Sequence, residues 1–283
     1  MSTVPTSATP VARRRPAPAA GGRGSVRRVS ALARAELQLL VRNRTALFNA
    51  LALPPMTVGL FATIGGIGDE AAATTGAVLL NLLTFMALAF VVYYNLTVAF
   101  VARREELVLK RYLVGECSRA EILTGTAVPA VAVALAQTVL GIVAVSVFLE
   151  PPAFVNPLLM VVAVLGGALM LTVLAGATSG LSRTVESAQL TTLPLLIVAI
   201  PFAGLFGGPG ATTGVLGTIG TFTPLRPITD LMLLGAGGLD GEGQVLSFAE
   251  TFGAAVVPVA VLAAWTALGV LACRRWMRWE PRR

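Results

Sequence analysis

The charged residues of this 283-residue chain leave six long gaps. None falls between Arg44 and Asp69, Glu70 and Arg103, Glu121 and Glu150, Glu150 and Arg183, Glu186 and Arg226, or Glu250 and Arg274, and every gap holds at least 23 residues. A helix that crosses a bilayer needs about 20 apolar residues, and in lipid it satisfies its own backbone. The gaps therefore predict spans near 45–67, 77–101, 122–149, 158–181, 188–206 and 251–273. Composition agrees: 12% of residues are charged, against about 25% in a soluble domain. The gap from Glu186 to Arg226 is long enough for two spans, but Gly207-Gly208-Pro209-Gly210 interrupts it and 211–225 is short and rich in Gly and Thr. We read one span there, followed by a re-entrant or surface segment.

The positive charges set the expected orientation. Nine arginines precede the first span, five cations follow the second, Arg183 follows the fourth and five arginines follow the sixth. That puts twenty of the 21 Lys and Arg residues on one side of a six-span chain, with Arg226 alone on the other. Cationic loops stay in the cytoplasm, so both termini are expected inside. The first apolar run begins near residue 45, so no cleaved secretory leader is expected. Residues 1–25 carry almost no large apolar side chain and read as a disordered basic tail, and 274–283 as a second basic tail.

Missing residue types exclude several chemistries. There is no His, which removes Ser-His triads, the usual zinc sites and a His proton relay, and no metal site is expected. The sole lysine, Lys110, has no glycine loop before it, so the chain has no P-loop for ATP. The +7 balance comes from loops and tails rather than a folded basic face, so no nucleic-acid partner is expected. Cys117 and Cys273, facing a reducing compartment, read as packing residues.

Residues 26–42 form a basic amphipathic helix suited to the inner membrane surface. On a helical wheel Val29, Leu32, Ala33, Leu37, Leu39 and Leu40 fall on one side, and Arg27, Arg34, Gln38 and Arg42 on the other. Glu36 interrupts the apolar arc; it either meets an arginine of a loop or partner or snorkels to the headgroups. Between spans two and three, Arg103 to Val114 reads as helix with a Glu106–Lys110 pair, Gly115 suits a helix end, and Ser118-Arg119-Ala120-Glu121 is a capping box opening span three. Two helices thus meet at a charged corner, which either docks a soluble partner or is a turn whose charges set topology. Asn81, Tyr93, Tyr94, Asn95 and Gln137 are the polar residues at membrane depth; they line a substrate path or bond between helices. Pro54, Pro55, Pro129, Pro194, Pro201 and Pro258 are positions for kinks. In the outer segment 207–250, Pro224-Leu225-Arg226-Pro227 reads as a rigid turn, Ile228 to Leu234 as a short outer-surface helix, and the glycines after Leu234 as a flexible loop.

This layout resembles the permease subunit of ABC-2 type transporters, the drug and lipid exporter class. The likeness rests on three features: the amphipathic helix with Ala35-Glu36-Leu37, then Arg42-Asn43-Arg44 and Pro54-Pro55; the corner from Arg103 to Glu121, with Ser118-Arg119-Ala120-Glu121-Ile122-Leu123; and Phe222-Thr223-Pro224 followed by Pro227-Ile228-Thr229-Asp230-Leu231-Met232-Leu233-Leu234-Gly235. It covers roughly 26–273. It departs at the corner, where many members place Gly-Thr after the first Glu and Pro after the second helix turn; this chain has Glu106-Leu107 and Glu116-Cys117.

The resemblance implies an all-α membrane protein of six transmembrane helices, with an N-terminal amphipathic interfacial helix and a cytoplasmic coupling corner. It implies a separate ABC ATPase subunit, carrying ATP and Mg, docked under 103–121, and a second permease copy or relative completing a dimer. The outer segment would be an external gate. By charge, Arg103, Arg104, Glu105, Glu106, Lys110 and Arg111 are the candidate ATPase-coupling residues, with Leu109 and Tyr112 as an apolar anchor and Glu36 beside them. Charge-free spans suggest an apolar or amphiphilic small-molecule cargo. The Arg-over-Lys, Ala/Gly/Val-heavy usage resembles high-GC bacteria, where drug efflux is a common role of the family. The alternatives are an ion-coupled exporter acting without an ATPase and an intramembrane enzyme, for which the chain has no His and no span Lys as base.

Overall fold

The computed structural model describes residues 22–42, 72–114, 117–149, 151–203 and 214–280, with single helical positions at 48, 52, 56 and 60. The expected first span, the tail 1–21 and Gly115-Glu116 thus lie largely or wholly outside the described residues. The described chain is helical apart from one isolated bridge, Leu239 with Val245. In order the helices are α1 Gly22–Arg42, α2 Ala72–Met86, a π-helical segment Ala87–Tyr94, α3 Asn95–Glu105, α4 Val108–Val114, α5 Arg119–Phe148, α6 Pro157–Ser179, α7 Val185–Phe202, α8 Gly214–Thr221, α9 Arg226–Gly237 and α10 Phe248–Trp276. Five helices among the described residues are long and apolar enough to cross a membrane: Thr74–Glu105, Arg119–Phe148, Pro157–Ser179, Val185–Phe202 and Phe248–Trp276. Each overlaps one of the last five predicted spans.

Local chemistry starts these helices. The predicted box at Ser118 and Glu121 is formed: Ser118 accepts from the Glu121 amide at 3.3 Å, and the Glu121 carboxylate accepts from the Ser118 amide at 2.7 Å. The same reciprocal device opens α7 through Thr184 and Ser187, and α10 through Ser247 and Glu250. Pro157 stands in the first turn of α6, where its missing N–H costs nothing. Each device satisfies amide groups that would otherwise be orphaned at a helix start.

Helices α6 and α10 pack in one register along their whole length. The Asn156 amide donates to the Thr251 hydroxyl at 3.0 Å. A side chain added at Gly166 would meet Leu262, at Gly269 Val173, at Gly176 Cys273, and at Gly180 the carbonyl of Trp276. Small residues are what let helices approach closely where lipid offers no hydrophobic drive to association. The matched order makes α6 and α10 parallel, so the chain between them crosses the bundle once. That single return is α7. The long charge-free gap therefore holds one span, and α8 and α9 form an arm that goes in and comes back.

The arm reaches the middle of the bundle. The Phe222 carbonyl, in the turn after α8, accepts from Trp265 Nε1 at 2.8 Å. Trp265 lies about 25 Å along α10 at 1.5 Å per residue. Ile228 fills the notch at Gly167, which Leu88 of the π-helical segment shares. From there α9 climbs to the opposite end, where the Asn156 amide donates to the Gly235 carbonyl at 3.0 Å. Nearly all of α9 is buried. The expectation of a short outer-surface helix is thus corrected: its apolar side chains face three spans rather than solvent. The expected flexible loop is also an ordered turn. Gly238, in the left-handed conformation at φ 66°, ends α9, and the Asp240 carboxylate accepts from the Glu242 and Gln244 amides.

Candidate functional site

Helix α3 ends at Glu105 because Leu107 turns the chain, with φ at 60°. This left-handed conformation is one that glycine adopts freely and a leucine does not. The predicted continuous helix over 103–114 is accordingly two helices, α3 and α4. The expected Glu106–Lys110 helix pair is replaced by Lys110 Nζ to Glu280 Oε1 at 3.1 Å, because the turn at Leu107 takes the two side chains off one helical face.

Arg104 is corrected most. Its side chain is 1% exposed, and its guanidinium donates to the carbonyls of Ser179 at 2.9 Å and Ser182 at 2.6 Å. It caps the C-terminal carbonyls of α6 and holds the turn before α7 against the end of α3. A planar fork of donors can serve two carbonyls together; a docking role is closed to it. Leu109 is fully buried in the core, so it anchors α4 inward. Glu105, Glu106, Lys110 and Arg111 are exposed, while Arg103 and Tyr112 are half-buried. Leu107, Leu181 and Val114 add exposed apolar surface at the same end of the bundle. The 179–184 turn belongs to this surface, which the sequence reading missed; the signal was Thr184, which with Ser187 caps α7.

Helix α1 is held to this end by contacts not foreseen. Arg28 Nη2 bonds Glu121 Oε1 at 2.7 Å, and Glu121 is only 4% exposed. Ala33 is buried and Leu32 sits over Gly125, whose missing side chain makes room for it. Glu121 thus caps α5 and binds α1 at once. The Glu36 side chain lies outside the described residues. Beyond α10 the chain stays against the corner as far as Glu280: Met277 is buried, and Arg119 stacks 5.6 Å over the Trp279 ring.

The polar residues at span depth do not share one face. Asn81, Tyr93 and Gln137 are buried, Tyr94 is half-buried and Asn95 is exposed. The Tyr93 hydroxyl pairs with the Thr178 hydroxyl at 3.1 Å, and its carbonyl accepts from Thr97 at 2.8 Å. Tyr93 lies in the π-helical segment, a rare backbone form that occurs mostly at functional sites. Asn81 Oδ1 and the Thr84 hydroxyl, both buried on α2, have no hydrogen-bond partner among the described residues. Arg226, the one cation expected off the positive side, pairs with Asp230 at 2.7 Å inside the arm. The pair brings formal charge into the bundle interior, which the charge-free gaps alone did not suggest. Among the described residues no three Cys, Asp or Glu side chains are grouped to hold a metal.

A bundle of apolar spans, a rigid charged corner at one end and a re-entrant arm at the other defines a multi-pass membrane protein of the transporter kind. The sequence matches the family model for ABC-2 type transporters over residues 27–235, about three quarters of the chain. The chain belongs to the ABC-2 type transporter family. Its membrane domain is the permease component of such transporters rather than their ATPase, and membership implies association with an ABC ATPase. No curated protein matches the sequence significantly.

Proposed function

We propose that this chain is the permease subunit of an ABC exporter that moves an apolar or amphiphilic molecule, a drug-like metabolite or a lipid, out across a bacterial cytoplasmic membrane. Both termini and the corner face the cytoplasm. A separate ATPase binds ATP and Mg and docks on the exposed Glu105, Glu106, Leu107, Lys110 and Arg111. Two permeases, identical or related, complete the unit. The P-loop route to nucleotide has no support in this chain: the one lysine pairs with Glu280 and stands on a seven-residue helix with no glycine loop before it.

The observation that carries this reading is the continuity between corner and arm. The corner is the end of the helical run Thr74–Glu105, whose π-helical middle places Leu88 in the Gly167 notch beside Ile228 of the arm. A push at Glu105 and Glu106 acts on one connected body that ends at the arm, while Arg104 fixes that body to α6. Rocking this body would alternate access, with the arm as the external gate. A pull-down from mild detergent, followed by an ATPase assay, tests it. A co-purifying ATPase whose transport-linked activity is lost or uncoupled in the Glu105→Ala/Glu106→Ala pair is expected. Absence of any ATP-binding partner in several detergents would instead support an ion-coupled carrier. The buried Arg226–Asp230 pair is the observation that favours that second reading.

A further inference from the structure

A groove of about 810 Å³ lies between α5, α6 and α10. It is separate from the docking surface on α4 and from the arm. Its wall is formed by Leu123, Val131 and Leu135 of α5 and Leu165, Leu169 and Val173 of α6. Ala127 and Ala168 give it depth. The two wall hydroxyls spend their donors on their own helices: Thr124 on the Ala120 carbonyl, and Thr172 on the Ala168 carbonyl at 2.7 Å. The wall is therefore effectively apolar.

The end at the corner is different. Arg119, Arg274 and Trp279 line it. Arg119 stacks on the Trp279 ring, and neither arginine has a carboxylate partner among the described residues. Glu121, the nearest carboxylate in sequence, is taken by Arg28, and Glu280 by Lys110. The groove thus runs from a cationic mouth with an indole beside it to an apolar far end. From Arg119 to Leu135 it extends about 24 Å at 1.5 Å per residue. That exceeds half of a hydrocarbon core of about 30 Å, so the groove spans one leaflet from the headgroup level to the midplane.

We infer that this groove holds an anionic diacyl phospholipid of the leaflet at the corner end. One acyl chain lies along α5 and α6, and the phosphate meets Arg119 and Arg274. Arginine offers the planar donors that phosphate accepts, and a tryptophan at the mouth suits the wet edge of the bilayer. A zwitterionic lipid carries its own cation, which the two arginines repel. The bound lipid ties the start of α5 to the end of α10, the two helices that carry Glu121 and Trp276.

Native mass spectrometry of the full chain, delipidated and titrated with phosphatidylglycerol or phosphatidylcholine, tests this without any transport assay. Retention of phosphatidylglycerol over phosphatidylcholine is expected, with a roughly tenfold loss in Arg119→Ala/Arg274→Ala. Arg119→Lys/Arg274→Lys should keep part of the preference. Ala132→Phe, which fills the groove from a half-buried position, should lower retention of both lipids while the arginines remain. Both arginines are exposed, so their loss should leave the melting temperature unchanged. Equal retention of the two lipids, or unchanged occupancy in the alanine pair and in Ala132→Phe, overturns the proposal. So does a photo-reactive residue at Leu169 that captures a polypeptide instead of lipid.

Discussion

Arg104 shows how one buried charge can organise an end of a membrane bundle. Its guanidinium serves backbone carbonyls of Ser179 and Ser182, so truncation leaves buried acceptors unpaired. Arg104→Ala should cost about 3 kcal/mol, read as a lower melting temperature in detergent. Arg104→Lys should recover little, because one ammonium cannot reproduce the two-pronged geometry. Leu107 presents the opposite case, a residue kept in a conformation it disfavours. Relieving a left-handed leucine is worth about 1 kcal/mol, so Leu107→Gly should be neutral or stabilising, whereas the β-branched Leu107→Val should lower the melting temperature. Loss of stability in Leu107→Gly would mean that its side-chain contacts outweigh the backbone strain.

The helices meet where one of them has no side chain. A side chain at Gly180 would come within 2.0 Å of the Trp276 carbonyl oxygen, a backbone atom that cannot swing away. Gly180→Ala should therefore destabilise by about 2 kcal/mol, where Gly253→Ala, which meets nothing within 4 Å, should not. Helix α1 depends on a different contact. A double-mutant cycle on Arg28 and Glu121 should give a coupling of about 1 kcal/mol; a value near zero would leave Leu32 over Gly125 as the dominant attachment. Of the three capping boxes, the one at Ser118 was read from the sequence, because a cap involves residues three apart; those at Thr184 and Ser247 use the same spacing and were not read. The π-helical segment was not readable: Ala87–Tyr94 has no Gly or Pro to mark it, and its Tyr93–Thr178 contact joins residues far apart in the chain.

For the molecule as a whole, the parallel packing of α6 and α10 makes a topological prediction. With one crossing between them, Arg183 and Asp240 lie on opposite sides of the membrane. In a chain with Cys117 and Cys273 replaced by alanine, a membrane-impermeant thiol reagent added to intact cells should label Asp240→Cys and not Arg183→Cys. Labelling of both would require the arm to be a full span. The same arrangement places the buried Arg226–Asp230 pair within a segment that enters and returns, so the bundle interior carries charge although the spans are charged only at their ends.

Sequence alone located the five spans found among the described residues, four of them between the corner and the second basic tail, and the cap that opens α5. These are one-dimensional properties: a charge-free run of sufficient length must cross lipid, and a cap needs only neighbours in the chain. It also carried the family, since the order of amphipathic helix, corner and arm is legible without coordinates. Only the tertiary structure decided which charges of the corner remain available. Arg104 and Glu105 are adjacent and both charged, yet one is buried against the 179–183 turn and the other is exposed. The depth of the arm was likewise invisible, because it depends on a notch at Gly167 and on an indole donor at Trp265 contributed by other helices. Where a polar group ends up depends on partners brought from elsewhere in the chain, and sequence spacing does not encode those meetings.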